Sequence, residues 1–170
     1  MSCGHCGIPR NNQIDPDQIL GCVSLALERL SKVSDFNGKE GGMFCLIKES
    51  TGELMVEPTL IGTINNGKQD KYAKLCVEKA NRLRTERAKN SHWLSWQSRD
   101  PENEMWGGAF CDGDCIWSFS GLNEHQDEAV VIIAAHLDGR IMNGSPEYLA
   151  KMSNNRIILD NEYIFWRLEG

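Results

Sequence analysis

The sequence predicts an α+β fold, with a single antiparallel sheet and helices packed on it. Three observations carry this. Residues 106–139, WGGAFCDGDCIWSFSGLNEHQDEAVVIIAAHLDG, read as strand, tight turn, strand and then a capped apolar helix. Two short apolar runs upstream meet at Thr51-Gly52, a second hairpin signal. Two other stretches repeat apolar residues at helical spacing, one before the first hairpin and one between the hairpins.

Residues 1–14 are polar and contain glycine, and read as an N-terminal arm; residues 15–170 read as a single α+β domain. Asp15 caps the first helix, with Pro16 at its first position and Gln18 at the capping-box position. Ile19, Cys22, Val23, Ala26, Leu30 and Val33 give that helix one apolar face. Asn37-Gly38 and Gly41-Gly42 end it. Met43 to Lys48 is the first strand. Glu53 to Ile61 is the second, and Pro58, which has no N–H to donate, marks an edge or an exit. Asn65-Asn66-Gly67 opens a basic helix whose apolar side is Tyr72, Leu75, Cys76, Ala80 and Leu83. Residues 90–104 have no clean period and read as a loop holding Trp93 and Trp96.

In the second hairpin, Gly107 and Gly108 permit a close backbone approach or a bulge. Asp112-Gly113 is the turn. Asn123 caps the following helix, Gln126 occupies the reciprocal box position, and Gly139 is its stop. Ala129 to Ala135 are apolar all round, which predicts burial on two sides. Beyond Gly139, one helical turn is expected at Pro146 to Met152. Arg156 to Leu159 and Tyr163 to Leu168 read as two strands about an Asp160-Asn161 turn.

Composition bounds the class. A chain of 170 residues with 41% hydrophobic and 25% charged residues is an ordinary globular domain. No apolar run is long enough to span a bilayer. MSCGHCGIPRNNQ lacks the charged and apolar regions of a secretory signal, so a cytoplasmic location is expected. Seven cysteines then read as reduced thiols, and an odd count argues against a complete disulfide framework. The net charge of −6 disfavours nucleic acid as a partner. Residues 68–89 hold eight basic and three acidic residues, so this segment is +5 and the remainder −11. Such a run is either a solvated helix face or a dock for an acidic partner.

Few residues suggest chemistry. Cys3 and Cys6 stand at a spacing that suits zinc or a redox dithiol. A redox site needs a strand before the motif, and only two residues precede Cys3. A closed zinc site needs four ligands, and Cys111 and Cys115, flanking the Asp-Gly turn, are the candidates to complete it; the alternative is a loose tail of reduced thiols. Of the histidines, His125 and His92 are placed to face a pocket and His136 lies in the apolar helix. Asp127 and Glu128 in a first helical turn either complement the helix dipole or join a polar lip for a ligand. Strand ends and a helix start meet here, so the expected lip is Gly108, Ser120, Gly121, His125 and Asp127. No nucleophile elbow, phosphate loop or His-Glu-x-x-His motif is present.

The run GG-x-turn-strand-Ser-Gly-x4-Gln-Asp-Glu-Ala resembles the closing half of the GlcG/HbpS-like family. FCLIKESTGELMVEPTLI resembles that family's first hairpin, and KQDKYAKLCVEKANRL its Lys-Ala helix. The resemblance covers about residues 16–139. Where the family carries an Arg-Met-Asp-like segment, this chain reads VEPTLIGTINNG. The resemblance implies a profilin-like layout and a domain that binds or senses a small ligand, with heme as that ligand and His125 as its axial nitrogen. Two other readings stay open. One is an enzyme, a small lyase or heme-modifying activity in the same pocket. The other is an interaction module docking through the basic helix 68–89. A homo-oligomer is compatible with all three.

Overall fold

The computed structural model describes residues 13–142 and 144–165. Helix α1, Pro16–Ser31, starts where the Asp15 carboxylate accepts from the Asp17 and Gln18 N–H groups. Strands β1, Glu40–Lys48, and β2, Leu54–Thr63, form the first hairpin. Helix α2, Gln69–Asn90, leads into two short 3-10 turns, Ser95–Ser98 and Pro101–Asn103. Strands β3, Ala109–Cys111, and β4, Cys115–Ser120, form the second hairpin. Helix α3, Glu124–Leu137, is followed by α4, Ser145–Ser153, α5, Arg156–Leu159, and a 3-10 turn, Glu162–Phe165.

Among the described residues the strands make one antiparallel sheet in the order β2-β1-β4-β3. The α+β class and its single antiparallel sheet are therefore as predicted. Pro58 lies on the edge strand β2, where Glu57 and Pro58 bulge opposite the single residue Cys45, so no ladder bond is lost to the missing N–H.

Side chains of a strand alternate between faces, and this sheet is covered on both. Phe44, Leu46, Cys115, Trp117, Phe119 and Phe110 point into the larger core with α1 and α3. Met43, Cys45, Ile47, Ile116, Ala109 and Cys111 point to a smaller core under α2. The α4–α5 segment packs on the outer side of α3. Helix α3 is thus enclosed between the sheet with α1 on one side and the C-terminal helices on the other. Residues Ala129 to Ala135 are all fully buried. No helix among the described residues is long and apolar enough to cross a membrane.

Two sequence expectations are corrected. Gly41 and Gly42 do not end α1; they lie inside β1. A Cβ on Gly42 would sit 2.4 Å from the Ser120 carbonyl oxygen, so the pair serves close strand packing rather than a turn. Residues 156–159 are a helical turn and 162–165 a 3-10 turn, not a hairpin. The Asp160-Asn161 signal predicts a hairpin, but Ile158 packs into the core beside α3 and the Asn161 carbonyl accepts within the turn that follows. Residues 166–168 lie outside the described residues.

Candidate functional site

The site is built where β4 ends and α3 begins. Asn123 caps α3 by accepting the Gln126 N–H at 2.8 Å, and Gln126 accepts the Asn123 N–H in return. This reciprocal cap aims the first turn of α3 back at the sheet. Asp127 consequently enters the protein. Its Oδ1 accepts the Leu122 N–H at 2.9 Å and its Oδ2 accepts from Lys79 Nζ at 3.0 Å. The same ammonium donates to the Phe119 carbonyl at 2.8 Å. The two side chains are 2% and 4% exposed, so the pair is removed from water. Burial raises the Asp127 carboxyl above its ordinary value, against the opposing pull of the Lys79 ammonium and the Leu122 N–H.

Gly108 is required at this point. Its φ is +125°, and a Cβ there would lie 2.7 Å from Lys79 Nζ and 2.8 Å from the Asp127 Cβ. Ser120 and Gly121 are buried at the same junction. A Cβ on Gly121 would meet the Gly42 Cα at 2.6 Å and the Gly41 carbonyl oxygen at 2.7 Å. Four of the five expected lip residues are therefore brought together, but as a closed junction of backbone and an ion pair rather than an open rim. Lys79, the partner that defines this junction, was not singled out in the sequence. The signal was present, because Tyr72, Cys76, Lys79, Ala80 and Leu83 share helical spacing on one face of α2 and all are buried.

His125 is placed apart from these four. Its ring stacks on Trp96 at 4.3 Å between centroids, and its Nε2 lies 3.0 Å from the Ser153 carbonyl oxygen. That contact calls for the tautomer with a proton on Nε2. The Arg99 guanidinium lies over the Trp96 ring, 4.4 Å from its centroid. Arg99 also grips Glu124 through both its Nε and an Nη, at 3.0 and 2.6 Å, and Glu124 accepts the Gly107 N–H at 2.9 Å. Although burial works to raise it, the Arg99 and Gly107 donors hold the Glu124 carboxyl below its ordinary value. Arg99, Trp96 and His125 thus form a half-buried ledge at the start of α3. An axial ligand for heme needs an unprotonated ring nitrogen free to meet the iron. With Nε2 donating to Ser153, the unprotonated nitrogen of His125 is Nδ1, so Nε2 as placed does not serve as that ligand.

The expected four-thiolate zinc site is not assembled by the hairpin. Cys111 pairs across the ladder with Ile116 and lies in the core under α2, whereas Cys115 lies in the core under α1 and α3. Cys115 stands one residue from Ile116, the register partner of Cys111, and successive residues of a strand face opposite ways, so the two thiols point to opposite faces of the sheet. Cys3 and Cys6 lie outside the described residues. No group of three or more His, Cys, Asp or Glu that could hold a metal ion occurs among the described residues. Burial pushes the Cys111 and Cys115 thiols up to about 12. Both are expected to resist iodoacetamide in the native protein at about pH 8 and to react once urea unfolds it, because only the thiolate attacks. Fast native labelling at either position, read by peptide mass mapping, would contradict their burial.

The basic helix is also resolved into roles. Lys79 is buried with Asp127. Arg82 binds Glu78, the Ser95 and Trp106 carbonyls and the Ser98 hydroxyl, fixing the loop that carries Trp96. Arg84 donates to the Glu49 carbonyl and Arg87 to the Glu49 carboxylate and the His92 carbonyl. Lys68, Lys71, Lys74 and Lys89 are left at the surface. Half of the apparent charge patch therefore holds the fold together.

The chain matches no family model, no curated protein and no solved structure.

Proposed function

We propose that this chain is a small-ligand-binding or sensing domain, in the manner of the GlcG/HbpS-like proteins it resembles. The observation that supports it is the Arg99–Trp96–His125 ledge, an aromatic and cationic surface beside a rigid strand–helix junction. A flat, conjugated ligand stacks on such a surface. A binding role is favoured over catalysis because the polar side chains at the junction are engaged in the fold: Lys79 with Asp127, Glu124 with Arg99, and the Gln126 amide with Ser34 and the Asp35 carbonyl. A nucleophile or general base needs a partner in the reaction, not one in the scaffold. Cys45, Cys76, Cys111 and Cys115 are buried free thiols, which supports a reducing compartment such as the cytoplasm.

Metal-free protoporphyrin IX and hemin are the probes that test this. Both are expected to quench tryptophan fluorescence saturably. Trp96→Leu is expected to weaken binding roughly fivefold, the equivalent of about 1 kcal/mol for one aromatic stack. Binding of neither probe, or equal affinity in the variant, overturns the reading. A hemin spectrum that changes in His125→Ala would place the His125 ring at the hemin.

A further inference from the structure

Among the described residues, no cation pairs with the Glu128 carboxyl group. It is fully buried on the outer face of α3. Its Oε2 accepts from the Ser153 hydroxyl at 2.5 Å and from Asn155 Nδ2 at 2.8 Å. Ser153 is the last residue of α4, and Asn155 stands at the N-cap position of α5 without a side-chain bond to that helix. The Asn155 amide nitrogen also donates to the His125 carbonyl at 2.9 Å. This fixes the amide orientation, because a flipped Asn155 would aim its oxygen at two acceptors. Two buried oxygens are then left with no donor among the described residues, Glu128 Oε1 and Asn155 Oδ1.

If Glu128 were ionised, two orphaned acceptors and a buried negative charge would coexist in one contact, which is costly. A proton on Oε1 neutralises the charge and turns that oxygen from an orphaned acceptor into a donor. Charges on the surrounding elements do not compensate. Lys151 of α4 pairs with Glu147, Arg156 of α5 with Asp160, and Arg99 with Glu124. Arg29 of α1 reaches the Ile164 carbonyl, His125 faces Ser153 and Asp127 turns to Lys79. Glu124, one turn earlier on α3, adds a like charge.

We infer that Glu128 is held as a neutral carboxylic acid and that its proton latches the α4–α5 segment onto α3. Raising the pH ionises Glu128 and loosens that segment from the core. Burial, the leading cause, pushes this carboxyl up from its ordinary 4.5 to about 7. The sign follows. A carboxyl whose value is raised by folding contributes stability below about 4.5; this is lost as pH climbs to about 7 and is flat above. The same Ser153 carbonyl holds the His125 ring, so loosening α4 would also free the ledge, a corollary that rests on the ligand reading; the latch itself does not.

Hydrogen exchange along residues 145–160, corrected for intrinsic rates, tests this in the full chain. Between about pH 5.5 and 8.5 the wild-type segment is expected to lose roughly 30-fold in protection, from the two carboxyl values. Glu128→Gln, which keeps one oxygen and replaces the acid proton with amide donors, is expected to abolish that dependence. Unchanged wild-type protection, or an equal loss in the variant, overturns the latch. If the variant fails to fold, the side-chain carboxyl carbon signal of Glu128 in the wild type decides. A midpoint near 7 supports the latch and one near 4.5 refutes it.

Discussion

Replacing Lys79 by methionine is expected to cost about 3–5 kcal/mol, because Asp127 would remain buried without its counter-charge. In a chain of this size that corresponds to a fall of roughly 6–20 °C in melting temperature. The loss should shrink on acidification, since a protonated Asp127 no longer needs the ammonium. The double variant Lys79→Met/Asp127→Asn keeps an oxygen for the Leu122 N–H and removes the charge, so it should be more stable than Lys79→Met alone. Thermal melts of the three proteins at two pH values check this. A single variant that melts like the wild type would mean the pair is not buried as described.

Ala135→Asp is expected to be more severe. Ala135 is fully exposed to other side chains and not at all to water, on a helix enclosed from both sides. A carboxylate there finds no partner, and its desolvation costs several kcal/mol. That is comparable with the whole stability of a typical domain, about 5–15 kcal/mol. The variant should be unfolded near neutral pH by circular dichroism, with partial recovery under mild acid as the new side chain takes up a proton. A soluble, folded Ala135→Asp protein with unchanged melting temperature would place α3 at the surface.

The elements that were legible in the sequence are those specified locally. The second hairpin turns where the Asp-Gly signal stands, with the tip one residue on: Gly113 takes φ +100° while Asp112 pairs with Cys115 and accepts the Asp114 N–H. Asn123 and Gln126 satisfy each other's backbone donors within four residues, and Gly139 ends α3 at φ +76°. Pro58 announced its edge by lacking a donor. What was not legible depends on partners distant in the chain. Lys79 meets Asp127 across 48 positions, and Glu128 meets Ser153 and Asn155 across 25 and 27. In sequence, Lys79 is one more lysine in a basic run and Glu128 one more acid in a first turn. The same holds for His125, whose engagement by Ser153 follows from where α4 lands. The C-terminal hairpin expected at Asp160-Asn161 is replaced by helical turns, because that dipeptide fits a turn of either kind while the conformation around it is set by docking on α3.

The strand order has a consequence for how the chain reaches this state. Each hairpin closes locally, β1 with β2 and β3 with β4, on the microsecond scale typical of such turns. The sheet exists only when β1 meets β4, Phe44 opposite Phe119 and Leu46 opposite Trp117, with residues 49–114 between them. That closure carries the loop entropy of the whole intervening chain before any of its contacts reward it. Both cores share the β1–β4 seam, so neither is complete until it forms. Two quick hairpins therefore wait on one slow, non-local encounter, and the rate of folding is set at the centre of the sheet rather than at its turns.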